Sequence, residues 1–226
     1  MKFNITRSWE RPQSFRVESV ISQFTLQDVK LEKHFRGSID IEDISWQVGV
    51  IVGRSGTGKT TIAKQLFPDA YIRGFNYKEA SILDDFPESL PTTDITRALS
   101  SVGFSSPPEW LKSYDQLSQG EKMRVDIARA LLLDEPIIVF DEFTSVVDRE
   151  VAKVSSLAIQ KAIRRTGKRF IAVTCHYDVV DYLEPDWVLC TDDMSFTKKK
   201  LGTHPSQLRS GPAAHISGAT LKTITI

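Results

Sequence analysis

The sequence predicts an α/β domain with a mostly parallel sheet, a peripheral antiparallel β-subdomain and a small helical subdomain. Three observations carry that expectation. From Val48 onward, short apolar runs alternate with stretches of helical period, the order of a parallel α/β core. A glycine-rich turn joins the first apolar run to the first such helix. A Pro-, Ser- and Asp-rich stretch from about Asn76 to Leu117 then separates that unit from the rest and reads as an inserted, mostly helical piece.

The elements follow in order. Residues Phe15 to Trp46 hold short alternating stretches, "FRVESVISQFTL" and "SIDIEDISW", which read as strands of the peripheral sheet. "VGVIV" (Val48 to Val52) is a buried parallel strand by its β-branched, uncharged composition, and "KTTIAKQLF" is the helix after it. "TTDITRALSSVGF" is helical, with Thr92 or Thr93 as its cap. A stronger helix starts at Ser118. Ser118-Gln119-Gly120-Glu121 has capping-box spacing, and Met123, Ile127, Ala130 and Leu131 mark a packed face, leaving Lys122, Arg124, Asp126 and Arg129 to face elsewhere. The helical subdomain is expected over about 76–135. "IIVF" (Ile137 to Phe140), a helix ending at Gly167, the strand "RFIAVT" and the run "WVLC" complete the domain at about 197.

At 226 residues the chain holds one substantial domain. No apolar run approaches a membrane span, and the N-terminus lacks the apolar core of a signal peptide, so the expectation is a cytoplasmic protein with no direct membrane insertion. Cys175 and Cys190 are the two cysteines, expected as reduced, buried thiols. The formal net charge is zero, yet after Asp193 no acidic residue occurs while Lys198, Lys199, Lys200, Arg209 and Lys222 remain. Residues 198–226 are therefore read as a disordered basic tail or linker. Nucleic acid is a possible partner that the neutral charge does not support.

Gly53-Arg54-Ser55-Gly56-Thr57-Gly58-Lys59-Thr60 fits G-x-x-x-x-G-K-[ST] between a strand and a helix, which makes the core a P-loop NTPase. In such a loop the amides of Gly53, Ser55, Gly56, Thr57 and Gly58 turn toward phosphate oxygens. Lys59 reaches the β- and γ-phosphates, Thr60 offers its hydroxyl to Mg²⁺, and Thr61 lies beside it. A carboxylate is then needed at a neighbouring strand tip. "IIVFDE" supplies Asp141 for Mg²⁺ and Glu142 as the base that polarises the attacking water. ATP and Mg²⁺ are the expected cofactors, and Lys59 joins Glu142 among the catalytic residues.

From about Phe24 to Asp192 the chain resembles the ABC ATPase family. Gly53 to Thr60 resembles its Walker A, Leu117-Ser118-Gln119-Gly120-Glu121 its LSGGQ signature, and Ile137 to Glu142 its Walker B and catalytic glutamate. Ser145-Val146-Val147-Asp148 is similar to the D-loop, and His176 to the switch histidine. The resemblance implies a head-to-tail homodimer held by ATP, in which Ser118 and Gly120 of one copy contact the γ-phosphate in the other. It also implies that His176 positions water at that phosphate and that Asp148 joins the half-sites.

The signature departs from the family's in Gln119 and Glu121. No glutamine lies between Gln65 and Gln116, so Asn76, Asp84 and Asp85 are the candidates for the Q-loop position. Phe35, with Phe24 behind it, is the candidate for stacking on adenine. The short stretch between Lys59 and Leu117 points to a soluble ABC-type ATPase acting on an unidentified soluble partner or fused domain. The region "HYDVVDYLEPDWVLCTDD" is similar to prokaryotic and viral ABC-type ATPases associated with a predicted acetyltransferase domain. A transporter's nucleotide-binding subunit and an ATP-gated dimerisation switch with little turnover are the alternatives.

Overall fold

The computed structural model describes residues 1–10, 12–25, 32–72 and 74–199. A five-stranded sheet has the order β4-β5-β3-β6-β7, built from β3 (Val48–Val52), β4 (Ile137–Phe140), β5 (Arg169–Thr174), β6 (Trp187–Cys190) and β7 (Ser195–Lys198). The first four strands in that order run parallel and β7 pairs antiparallel with β6. All five residues of β3 are buried, as expected of a central strand covered on both faces. A separate antiparallel pair, β1 (Lys2–Ser8) with β2 (Glu32–Ser38), forms the peripheral sheet.

Two stretches read as strands are not strands. Phe15–Gln23 is helix α1, started by the Ser14 side chain accepting from the Val17 amide. Val17, Val20, Ile21 and Phe24 recur at helical steps, and that period outweighs the short alternation. The stretch after Ser38 leaves the ladder as loop, although Ile39, Ile41 and Trp46 are buried in it. The strands β1 and β7, and β2 apart from Ser38, lie outside the stretches that the sequence marks as strands.

Helices cover the sheet: α2 (Lys59–Leu66), α3 (Thr92–Ser101), the single turn α4 (Pro107–Trp110), α5 (Gln119–Leu131), α6 (Arg149–Thr166) and α7 (Asp178–Leu183). Pro91, not a threonine, occupies the N-cap of α3, because its extended backbone places Thr92 and Thr93 already inside the helix. Gly167 closes α6 in the left-handed conformation, which glycine adopts without a Cβ penalty. On α5 the apolar positions Met123, Ile127, Ala130 and Leu131 are buried as expected.

The polar positions of α5 are partnered, not simply solvated. Asp126 accepts from the Tyr77 hydroxyl at 2.7 Å and the Tyr114 hydroxyl at 2.8 Å, and the two rings stack at 3.8 Å. Burial pushes the Asp126 carboxyl up, against the two hydroxyl donors. Arg129 lies over the Phe75 and Tyr77 rings, 4.9 Å from each centroid, and Arg124 donates to the Gly103 carbonyl. These contacts fasten the segment around 75–77 to α5. Cys175 and Cys190 are free and only partly buried. Lys198 belongs to β7 and pairs with Asp40 at 2.7 Å, while the expected tail over 200–226 lies outside the described residues.

Candidate nucleotide site

The end of β3 opens into the loop Gly53–Gly58, and α2 begins at Lys59. Gly58, at the N-cap of α2, has φ 92°, and a Cβ there would fall 2.4 Å from Phe35 Cε1. Both the backbone and the close approach require glycine. Lys59 is buried, and its ammonium donates to the Arg54 carbonyl at 2.9 Å, holding the charge inside the loop. Asp192 accepts from the Arg54 amide at 2.9 Å and from the Tyr177 hydroxyl, tying the loop to the end of β6.

Asp141 stands at the tip of β4. Its Oδ2 accepts from Thr60 Oγ1 at 2.8 Å and from the Tyr71 hydroxyl, and its Oδ1 accepts from the Glu142 amide at 2.9 Å. Thr60 and Asp141 therefore present hard oxygen ligands side by side. That set fits Mg²⁺, which is commonly held by one or two carboxylates plus substrate phosphate and water. Among the described residues no group of three or more His, Cys, Asp or Glu is placed to hold a metal.

Glu142 faces the same cleft, a space of about 270 Å³ whose lining includes Ser55, Gly56, Gly58, Lys59, Thr60 and Thr61. Its backbone has φ 52°. His176 follows β5, with Nδ1 3.4 Å from the buried Thr144 Oγ1. Partial burial, with the Arg149 charge next, holds its imidazole below the ordinary value of 6.5 against Asp178 and Glu142. The Phe143 amide donates to the Val173 carbonyl at 2.9 Å, which fixes the turn after Glu142 to β5.

Asp148 caps α6 by accepting from the Val151 amide at 2.9 Å. Ser118 and Glu121 form the expected capping box on α5, and neither Ser118 nor Gly120 lines the cleft. Gly120 is buried, and a Cβ there would lie 2.9 Å from Val151 Cγ1. The glycine lets α5 approach α6, a packing reason that the sequence reading did not include.

Of the adenine candidates, Phe35 lines the cleft, at 8% exposure and with its ring against Gly58, and Phe24 is 64% exposed beside α1 and does not line it. Trp9, which the sequence reading missed, borders the cleft with 48% exposure. An aromatic just past the run "KFNITRS" was the available signal. Tyr71 gave no local signal, since its contact with Asp141 depends on tertiary pairing with β4. Asn76 and Asp84 are exposed, Asp85 closes a turn by accepting from the Lys78 and Glu79 amides, and none of the three lines the cleft.

The sequence profile of the family described as "ABC transporter" matches residues 75–145. The chain is 38% identical over 96 residues to ATP-binding cassette sub-family B member 5 of Mus musculus, spanning 42% of this chain and 7% of that protein. It is 27% identical over 157 residues to the mitochondrial ATP-dependent permease MDL1 of Saccharomyces cerevisiae, spanning 50% of this chain and 23% of that one. Two solved structures of the ATP-binding cassette MJ0796 share the fold, each at 16% identity. The dimeric post-hydrolysis form bound to ADP and Pi has a TM-score of 0.59 over 87% of this chain and 97% of that chain. The second, a dimeric structure described as a bacterial ABC transporter cassette, has 0.56 over 84% and 92%.

Proposed function

We propose that this chain, part of which matches the ABC transporter profile and which shares the fold of ATP-binding cassettes, is an ABC-type ATPase that binds Mg-ATP in the cleft above α2 and hydrolyses it within a head-to-tail pair of copies. The observation that carries this reading is the 2.8 Å bond from Thr60 to Asp141, with Lys59 and Glu142 on the same cleft.

Bound Mg²⁺ would supply charge neutralisation on the phosphate oxygens, held by Thr60 and Asp141. Lys59 places its ammonium on the β- and γ-phosphates, and the loop amides with the N-terminus of α2 receive the remaining negative charge. Glu142 takes the proton of the attacking water, and His176 orients that water at the γ-phosphate. Ser118 and Gly120 lie away from their own cleft, so in this reading a second copy completes the site with its capped helix start. Asp148 reaches across the same junction. Trp9, the more exposed of the two aromatic residues lining the cleft, provides the main face for adenine, with Phe35 beside it.

ATP-driven closing and opening of the pair then works on a partner. A soluble or fused partner is the first reading. A membrane partner fits equally, because relatives of this chain are named as permeases and flippases. Among the described residues no helix is long and apolar enough to cross a membrane. Solution mass with and without Mg-ATP, with phosphate release followed in the same samples, tests the proposal. A doubling of mass with ATP together with steady turnover supports it; a monomer that releases no phosphate under all conditions rejects it.

A further inference from the structure

Tyr71 lies outside every motif in the sequence, yet three sets of contacts converge on it. Its backbone is bridged in parallel to Val139, with the Ile72 amide on the Val139 carbonyl at 3.0 Å and the Val139 amide on the Ala70 carbonyl at 2.8 Å. Val139 stands two residues before Asp141, so the two share the side of β4 that a period of two dictates. The Tyr71 ring carries the Lys64 ammonium 4.7 Å from its centroid. Lys64 is one helical turn beyond Thr60, and residues four apart share a face of α2. At the far end of the ring, the phenol donates to the same Asp141 oxygen that accepts from Thr60.

We propose that Tyr71 is a positioning residue of the metal site, whose phenol O–H fixes the Asp141 carboxylate beside Thr60 so that both face a magnesium ion. The inference rests on the Mg-ATP reading of the cleft. The Glu142 amide holds the other carboxylate oxygen at 2.9 Å, so the rotation of Asp141 is restrained from both sides. Without the phenol, Thr60 is the remaining hydroxyl given to Oδ2 among the described residues, and Thr60 is itself a metal ligand in this reading. Groups that orient a ligating carboxylate typically control metal affinity by 10–100-fold when removed.

The test is Tyr71→Phe, with the ATP analogue AMP-PNP titrated calorimetrically in excess EDTA and across a range of Mg²⁺. The expected result is an unchanged affinity in EDTA and a half-saturating Mg²⁺ concentration raised about 10-fold. Equal weakening with and without metal would assign Tyr71 to pocket shape alone, and an unchanged or lowered Mg²⁺ requirement would also overturn the proposal. Should the variant fail to fold, wild-type protein with 3-fluorotyrosine incorporated at position 71 decides. Its ¹⁹F signal should move with Mg-AMP-PNP and stay in place with AMP-PNP in EDTA; the same position in both refutes the assignment. A wild type whose AMP-PNP affinity is indifferent to Mg²⁺ rejects the Mg-ATP reading, and the role of Tyr71 falls with it.

Discussion

Ser145 Oγ donates to Glu142 Oε2 at 2.6 Å, so the carboxylate proposed to activate water is held by its own loop. The backbone around it is unusual, with Glu142 at φ 52° and Thr144 at φ 63°, a region that non-glycine residues enter at a cost of about 1–3 kcal/mol. Such geometry persists where the surroundings impose it, and here the Phe143 amide is anchored to β5 between the two strained residues. Glu142→Gln keeps the shape and the Ser145 hydrogen bond while removing the basic oxygen. Phosphate release is expected to fall by about 10²–10⁴-fold, which is about 3–5 kcal/mol of barrier. Mg-ATP binding should persist and the paired form accumulate, as read by light scattering after gel filtration.

The contact between α5 and α6 gives a prediction about stability. A methyl at Gly120 would meet Val151 Cγ1 at 2.9 Å, and overpacking of this kind costs about 1–3 kcal/mol. The intrinsic helix gain of alanine over glycine offsets about 0.5–1 kcal/mol of it. Gly120→Ala is therefore expected to lower the urea midpoint, and the double variant Gly120→Ala, Val151→Ala to restore it. A single variant more stable than wild type would remove the packing account. Loss of ATP turnover in the restored double variant would show that the glycine also serves the nucleotide.

Local chemistry carried most of what the sequence revealed. The glycine loop, the Ser118 capping box, the buried β3 and the left-handed stop at Gly167 each follow from a few neighbouring residues. What stayed hidden depends on distant parts of the chain. β1 and β2 pair across an intervening helix, and the alternation within Phe15–Gln23 resembles a strand until the longer period of 3 to 4 is weighed. Tyr71 meets Asp141 from 70 positions away in sequence, and Phe35 lines the cleft while nearly buried, because the left-handed Gly58 leaves room for its ring.

Trp9 and Phe35 should separate by experiment. Base stacking on an aromatic side chain is worth about 1–3 kcal/mol by alanine substitution. Trp9→Ala is expected to weaken ATP binding by roughly that amount while leaving inorganic triphosphate binding unchanged, because the phosphates are held by the loop and Lys59. Phe35→Leu should act instead on thermal stability, since its ring fills space against Gly58. Quenching of tryptophan emission by ATP, abolished in Trp9→Phe, provides the direct check, with Trp46 and Trp187 buried in the core as internal references.

His176 makes stability depend on pH with a definite sign. Partial burial, then the Arg149 charge, holds its folded imidazole below 6.5. As pH falls below that value the unfolded chain takes up a proton on this residue before the folded chain does. Stability contributed by keeping the ring neutral is therefore complete above about pH 6.5 and is lost as pH drops toward the folded value. Other groups also titrate on acidification, so the informative quantity is the difference between wild type and His176→Gln. The wild type should lose more of its urea midpoint than the variant between about pH 7.5 and 5.5. If the two fall in parallel, His176 has no lowered value in solution. If the variant falls further, a charged imidazole is stabilised in the fold, with Asp178 and Glu142 outweighing burial and Arg149.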